Sequence, residues 1–332
     1  MSHAPRPTAS EILRHMQGRQ RKLVWLLRRL TQAESPSTEP GAQTEIREII
    51  AGELEPLGFR VRRGPGRSTG GMLFASPARR TRGAPAQLLL GHYDTVWPLG
   101  TLAEMPFAAN GDTVHGPGVY DMKGGVAQAL LALETLHHFG VRPAVAPHVL
   151  LNSDEEIGSR ESRRYIEMLA PRMSRVFVLE PSLGPAGLLK TARKAIGRFT
   201  VTVRGEAAHA GLEPGAGASA ILELAHVIQS LFALNDLERG ITVNVGTIDG
   251  GLRPNVIAPH SRAVVDVRVP MHADQQRIEA AIRNVQPAVA GTSLSVEGGF
   301  GRPAMERTPA NRALWQLACQ LGSELGLQLE EA

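Results

Sequence analysis

The stretch "LLNSDEEIGS", residues 150–159, closes an apolar run with two neighbouring glutamates, Glu155 and Glu156. Val149, Leu150 and Leu151 read as the end of a buried strand. Adjacent carboxylates repel each other, so the pair implies a positive charge close by. Two further apolar runs end in the same polar fashion. "LLLGHYDTV" (88–96) runs into His92 and Asp94, and "RVFVLEPS" (175–182) runs into Glu180; both read as buried strands. The segments between them, "GGVAQALLALETLHHFG" (124–140) and "IEMLAPRMS" (166–174), read as helices, with Gly140 stopping the first. Strands alternating with helices predict an α/β fold with a mostly parallel sheet and helices on both faces. Ligands in such sheets collect at the carboxyl ends of the strands, where these polar residues lie.

Upstream, residues 22–32 place Leu23, Leu26, Leu27 and Leu30 on one helical face. Residues 43–57 do the same with Ile46, Ile49, Ile50, Leu54 and Leu57, and Gly58 ends that helix. "FRVRR" then reads as a strand, and "TRGAPAQ" (81–87) as a loop. Downstream the pattern changes to alternation. "GRFTVTVRGEAAHAG" (197–211), "ITVNVGTI" (241–248), "SRAVVDVRV" (261–269) and "SLSVEG" read as half-exposed strands. Helices fall at 219–234 and around Ile278 and Ile282. A smaller α+β domain is therefore expected over 197–303, inserted between 1–196 and 304–332. A last helix follows in the tail, with Cys319 at helical spacing from Trp315 and expected in the core.

Composition narrows the function classes. With 332 residues, 42% hydrophobic and 20% charged, the chain suits two soluble domains. Its net charge of +4 is spread along the chain, which fits an anionic substrate without requiring one. Aromatics at 4% argue against nucleic-acid stacking platforms. One cysteine excludes a disulfide framework and a thiolate metal cluster. No apolar run reaches membrane-span length, and "MSHAPRPTASEILRH" lacks the apolar core of a secretory signal, so a cytoplasmic location is expected.

Histidine and carboxylates without cysteine suit zinc or a similar divalent ion. A hydrolytic metal centre needs one carboxylate as ligand and another as base, which gives two neighbouring glutamates separate tasks. Between the first two strand ends lies "HGPGVYDMKGG" (115–125), whose glycines permit close backbone approach and whose Asp121 precedes a helix. Each piece has a plainer reading: His92 as a core histidine, Asp121 as a helix cap, Glu180 as a solvated turn residue, and the Glu155–Glu156 pair facing water. "GPGVYD" fails as a dinucleotide loop, because Asp121 stands at its third glycine position. Joint occurrence at the ends of predicted parallel strands favours the metal reading.

In order along the chain, "GHYDTV", "GPGVYDMKGG", "SDEEIGS", "LEPS" and "GEAAHAG" resemble the motifs of the dinuclear zinc exopeptidases of the glutamate carboxypeptidase and aminoacylase type, most of all the carboxypeptidase G branch. The resemblance runs from about residue 20 to the C-terminus. It implies two zinc ions per subunit, with cobalt or manganese as alternatives. It implies His92 and Glu180 on one ion, Asp121 bridging, Glu156 on the second, and Glu155 as the catalytic base. Asp94 would orient His92. The inserted domain would be a lid and a homodimer interface. His209 would stabilise the oxyanion, often from the partner subunit. Asn255, Arg268 in "VDVR" and Arg302 in "FGRPAM" would hold the substrate carboxylate, a task that suits arginine.

The implied reaction is hydrolysis of the amide bond in N-acyl amino acids or small peptides, with a C-terminal glutamate favoured. The alternatives are an aminoacylase acting on other N-acyl amino acids, or an inactive remnant that still dimerises. The family's last ligand histidine, after a "GGGSDG"-like segment, has no counterpart, since no histidine follows His272. A C-terminally incomplete catalytic domain is expected on that ground, with apolar surface left uncovered. Neither nucleic acid nor a membrane is expected as a partner.

Overall fold

The structure is a computed structural model that describes residues 7–79 and 83–332, so positions 81 and 82 of the expected loop lie outside the described residues. The chain divides into two compact units. One comprises residues 1–182 with 321–327, the other 183–320 with 328–332.

The first unit begins with helices α1 (Ala9–Gly18), α2 (Gln20–Gln32) and α3 (Gln43–Leu54). Thr8 and Glu11 close a reciprocal capping box on α1. The leucine stripe of α2 is buried at Leu26, Leu27 and Leu30, and α3 buries Ile46, Ile50 and Leu54. A 3₁₀ turn (Glu55–Leu57) ends at Gly58, whose φ of 82° is left-handed and comfortable only for glycine. Strands β1 (Phe59–Gly64), β2 (Met72–Pro77) and β3 (Ala86–His92) follow. Next come the short helix α4 (Thr101–Glu104), the hairpin β4 (Ala108–Asn110) and β5 (Thr113–His115), and helix α5 (Gly124–His138). Strand β6 (Ala146–Asn152), helix α6 (Arg163–Leu169) and strand β7 (Arg175–Val178) complete the unit.

Among the described residues five strands form one sheet in the order β1-β2-β6-β3-β7. β6, β3 and β7 run parallel, while β1 and β2 are antiparallel to their neighbours. The core packs Leu26, Leu30, Ile46, Ile50 and Leu130 from α2, α3 and α5 against Leu73, Val149 and Leu151 of the sheet.

Three expectations are corrected here. β2 lies in "MLFASP", which the sequence reading passed over. The strand expected over 88–96 ends at His92: Tyr93 N–H still donates to Asn152 of β6, but the Tyr93 carbonyl and Thr95 bond to the segment 35–37. The third strand is not buried: β7 lies at the sheet edge, with Phe177 37% and Val178 54% exposed.

The second unit holds β8 (Ala195–Arg204), α7 (Ala220–Phe232), β9 (Thr242–Gly250), β10 (His260–Val269), α8 (His272–Arg283), β11 (Ser293–Arg302) and α9 (Pro309–Glu324), whose last residues group with the first unit. Its antiparallel sheet runs β11-β8-β10-β9. Phe199, Val201, Val265 and Val267 alternate inward, and α7 and α8 cover them with Val227, Leu231, Ile278 and Ile282. The unit starts at Leu183, ahead of the expected 197, because Leu189, Thr191 and Arg193 bond to Glu330, Ala332 and Met305. Cys319 on α9 is half-buried rather than in the core. No helix among the described residues is long and apolar enough to cross a membrane.

Candidate metal centre

His92 is the last residue of β3 and is buried at 1% exposure. Gly91 before it leaves room for the side chains packed on it, since a Cβ there would meet Met122 Cε at 2.9 Å and Leu151 Cδ2 at 3.2 Å. Asp121 sits in the turn Val119–Lys123, entered through Gly118 at φ 70°, and its own backbone is extended at φ −119° and ψ 104°. Its peptide bond to Met122 is cis. Lys123, not Asp121, occupies the N-cap of α5, so the aspartate is not spent on the helix. Gly125 lets α5 start directly against the chain ahead of Glu180, because a Cβ would lie 2.0 Å from the Leu179 carbonyl oxygen. Tyr120 adds a stitch, its hydroxyl donating to the Ser182 carbonyl at 3.0 Å.

These constraints converge three side chains. His92 Nε2 lies 3.1 Å from Asp121 Oδ1 and 3.8 Å from Glu180 Oε1. One ligand atom from each of His92, Asp121 and Glu180 falls within 4.8 Å of the others. That geometry brings a buried histidine together with two carboxylates from separate loops, an arrangement compatible with a metal site.

Asp94 is fully buried and organises the rest. The other ring nitrogen of His92, Nδ1, lies 3.3 Å from Asp94 Oδ1 and 3.0 Å from the Asp94 carbonyl oxygen. The Asp94 carboxylate also accepts the backbone N–H groups of Glu155 and Glu156, each at 3.2 Å. Ser37 Oγ donates to its Oδ2 at 2.6 Å. One aspartate therefore aims the histidine and anchors the turn that presents both glutamates.

Electrostatics record the excess of negative charge. Burial pushes Glu156 up, Asp121 adds to the push, and its pKa reaches about 7. Burial opposes charge on His92, yet hydrogen bonds to Asp121 and Asp94 carry its pKa up to about 11. The histidine proton thus stands where these carboxylates favour a cation. The donor set, one imidazole nitrogen and converging carboxylate oxygens, fits a hard-to-borderline divalent ion.

The sequence reading missed the supports. Ser37 lies outside every quoted motif, and Tyr120 and the buried Lys123, whose Nζ donates to the Ala33 carbonyl at 3.1 Å and whose pKa burial lowers to about 7, lie within "GPGVYDMKGG" without a role read for them. Their signal exists only once the loops are placed side by side.

The other expected residues lie in the second unit. His209 is exposed, and its Nδ1 accepts the backbone N–H groups of Gly211 and Leu212 at 3.2 Å, which fixes the ring within its turn. Asn255 is exposed, and its carbonyl accepts the N–H of Ala210, so the two turns are joined. Arg268 on β10 pairs with Asp266 on the same strand at 2.8 and 3.1 Å. Arg302 ends β11 opposite Ile196.

Comparison with known proteins agrees with this construction. Residues 191–291 match the peptidase dimerisation domain of the M20 peptidases. Carboxypeptidase G2 of a Pseudomonas species is 28% identical over 311 residues, covering 92% of this chain and 74% of that enzyme. In fold, the chain superposes on an aminopeptidase of Bacillus cereus with a TM-score of 0.76 at 19% identity, covering 94% of this chain and 84% of the other. A dinuclear metal-binding M20 peptidase of Bacillus subtilis gives 0.63 at 14% identity, covering 95% and 83%. Motif order, two-unit architecture and the matched dimerisation segment lead to one conclusion: the chain is similar to the M20 peptidases, through a dimerisation domain at 191–291 and a likeness to carboxypeptidase G2 over 92% of its length.

Proposed function

We propose that the protein is a metal-dependent hydrolase that cleaves the amide bond of N-acyl amino acids or small peptides, with a C-terminal glutamate favoured. The observation that carries this reading is the convergence of His92, Asp121 and Glu180 within 4.8 Å beside a turn that presents Glu155 and Glu156. His92, Asp121, Glu180 and Glu156 would hold two zinc ions, with cobalt or manganese able to substitute. When bound, such ions supply Lewis acidity toward a carbonyl and make a water acidic near neutral pH.

The remaining roles belong to the chain. Asp94 holds Nδ1 of His92, which leaves Nε2 as the donor toward the centre. Glu155 takes a proton from the attacking water and returns it to the leaving amine. Glu156, one residue on, lies in the field of Asp121 and His92 and serves as ligand. Two adjacent residues on one turn point to opposite tasks, which accounts for the paired glutamates.

The functional division places catalysis in 1–196 and 304–332, and the lid and dimer interface in 197–303. Support comes from the antiparallel sheet of β8 to β11, whose hydrophobic core is its own. Within that segment His209 would stabilise the developing oxyanion, and Asn255, Arg268 and Arg302 would hold the substrate carboxylate. The fixed ring of His209 and its link to the Asn255 turn are the features that favour this pairing. A panel of N-acyl-glutamates, N-acetyl amino acids and dipeptides, assayed with added zinc, cobalt or manganese, tests the proposal. Turnover with glutamate leading is expected; no turnover with any metal would overturn it.

A further inference from the structure

The loop "GPGRSTGG" (64–71) joins β1 to β2 and meets the segment "SRESRRY" (159–165) that follows the glutamate turn. Glu161 is the acid of this junction, and it is fully engaged. Its carboxylate accepts the backbone N–H groups of Arg67 and Ser68 at 2.9 and 2.7 Å, and the hydroxyls of Ser68 and Thr69 at 2.6 and 3.0 Å. Four neutral donors satisfy it, so no arginine is needed to balance it.

Three arginines nevertheless line the cavity beside it. Arg67, Arg160 and Arg164 border a pocket of about 190 Å³ whose floor includes Gly71 and Tyr165. Among the described residues none of the three forms an ion pair with a carboxylate, whereas Arg19, Arg29 and Arg63 of the same unit do. Arg164 is preset: its guanidinium stacks 4.6 Å over the Tyr165 ring and donates to the Tyr165 hydroxyl at 2.7 Å. That hydroxyl keeps its own proton to donate. The lining therefore carries three arginines and one carboxylate already spent, in a recess with room for a tetrahedral or planar oxyanion.

The pocket lies at the working end of the sheet. Met72, in its wall, stands opposite Asn152, and Asn152 stands opposite His92 on the next strand. Two strand spacings place it about 10 Å from the metal ligands.

We propose that this pocket binds a small oxyanion, a phosphate or carboxylate group, through Arg67, Arg160 and Arg164. The site is separate from the residues assigned to metal and catalysis, and it stands whether or not the hydrolase reading does. Calorimetric titration of the protein with inorganic phosphate and with succinate tests it. Saturable binding of at least one of them is expected, weakened roughly tenfold or more in the Arg67→Ala/Arg160→Ala double variant. The control is Arg60→Ala/Arg62→Ala, which removes equal charge from the exposed face of β1 and should leave binding unchanged. Both variants truncate exposed side chains, and a thermal melt checks that each remains folded.

Two sources of the group are separable by rates. Selective loss of N-succinyl over N-acetyl amino-acid hydrolysis in the arginine variant assigns the site to an anionic arm of the substrate. Unchanged rates alongside weakened phosphate binding assign it to a free ion. Absence of saturable binding by either anion, binding that persists in the arginine variant, or equal weakening in the control overturns the proposal.

Discussion

At the scale of single residues, adjacency carries the chemistry. Glu155 and Glu156 share one anchor, the Asp94 carboxylate, and burial together with Asp121 raises the pKa of Glu156 to about 7. Glu155→Gln is expected to lower turnover by about 10²–10⁴-fold and leave metal content intact, since an amide keeps the shape but takes no proton. Glu156→Gln should instead weaken metal retention, roughly tenfold or more. Metal analysis of the two purified variants checks this, and equal metal loss in both would reverse the assignment of roles. Ser37 extends the argument one bond outward. Its hydroxyl is the donor to Asp94 Oδ2 from outside the glutamate turn, so Ser37→Ala should loosen the aspartate and cut turnover about tenfold with little change in melting temperature. The candidate ligands were legible in the sequence because motifs report residue type and order. The contacts of Ser37, Tyr120 and Lys123 were not, because they join loops 57 to 90 residues apart.

At the scale of elements, the helices and alternating strands could be read from periodicity, whereas sheet position could not. A 3.6-residue stripe such as Leu23, Leu26, Leu27, Leu30 states its own burial. "RVFV" has the same composition in the centre of a sheet or at its edge, and the neighbour of β7 decides between them. "MLFASP" is short and follows two glycines, so periodicity alone does not mark it, and its pairing with β6 does. Contacts between elements are also where backbone space matters. Gly125→Ala would drive a Cβ into the Leu179 carbonyl at 2.0 Å, shifting α5 away from the segment that bears Glu180. A loss of roughly 1–3 kcal/mol in urea unfolding is expected, together with reduced metal affinity. The tie between the 64–71 loop and α6 has a pH signature. Hydrogen bonds from Ser68 and its neighbours hold Glu161 down to about 2, against an ordinary 4.5. A depressed carboxylate contributes stability above its unfolded pKa and loses it as pH falls through the folded value. The difference in unfolding free energy between the protein and Glu161→Gln should therefore be flat above about pH 5, on the order of 1 kcal/mol after solvent screening, and shrink between about pH 4.5 and 2. A constant difference across that range would remove Glu161 from the account.

At the scale of the whole molecule, the second unit carries features of a self-association surface. β9 is the edge of its sheet, and α7 beside it leaves Ile221 at 49%, Leu222 at 51% and Phe232 at 46% exposure. An open edge with an adjoining apolar helix face can extend the sheet into a second copy by two-fold symmetry. The dimerisation match over 191–291 includes both elements. A homodimer is thus expected, and sedimentation showing only monomers would end the idea. If His209 serves the partner's metal centre, the dimer is needed for chemistry and not for stability alone. Mixing His209→Ala chains with Glu155→Gln chains separates the two cases. Each chain alone should be inactive. After subunit exchange, one site in each mixed dimer would combine an intact Glu155 from one chain with an intact His209 from the other, while the second site would lack both. Half-of-sites activity in the mixed dimers is then the expected yield, and random exchange makes half of all dimers mixed. The mixture should recover about a quarter of the parent rate, the statistical limit of independent sites. No recovery, with exchange demonstrated by differently labelled chains, would place His209 in its own subunit's site, because every site in every mixed dimer would then lack one of the two groups, whereas activity in His209→Ala chains alone would put it outside the reaction.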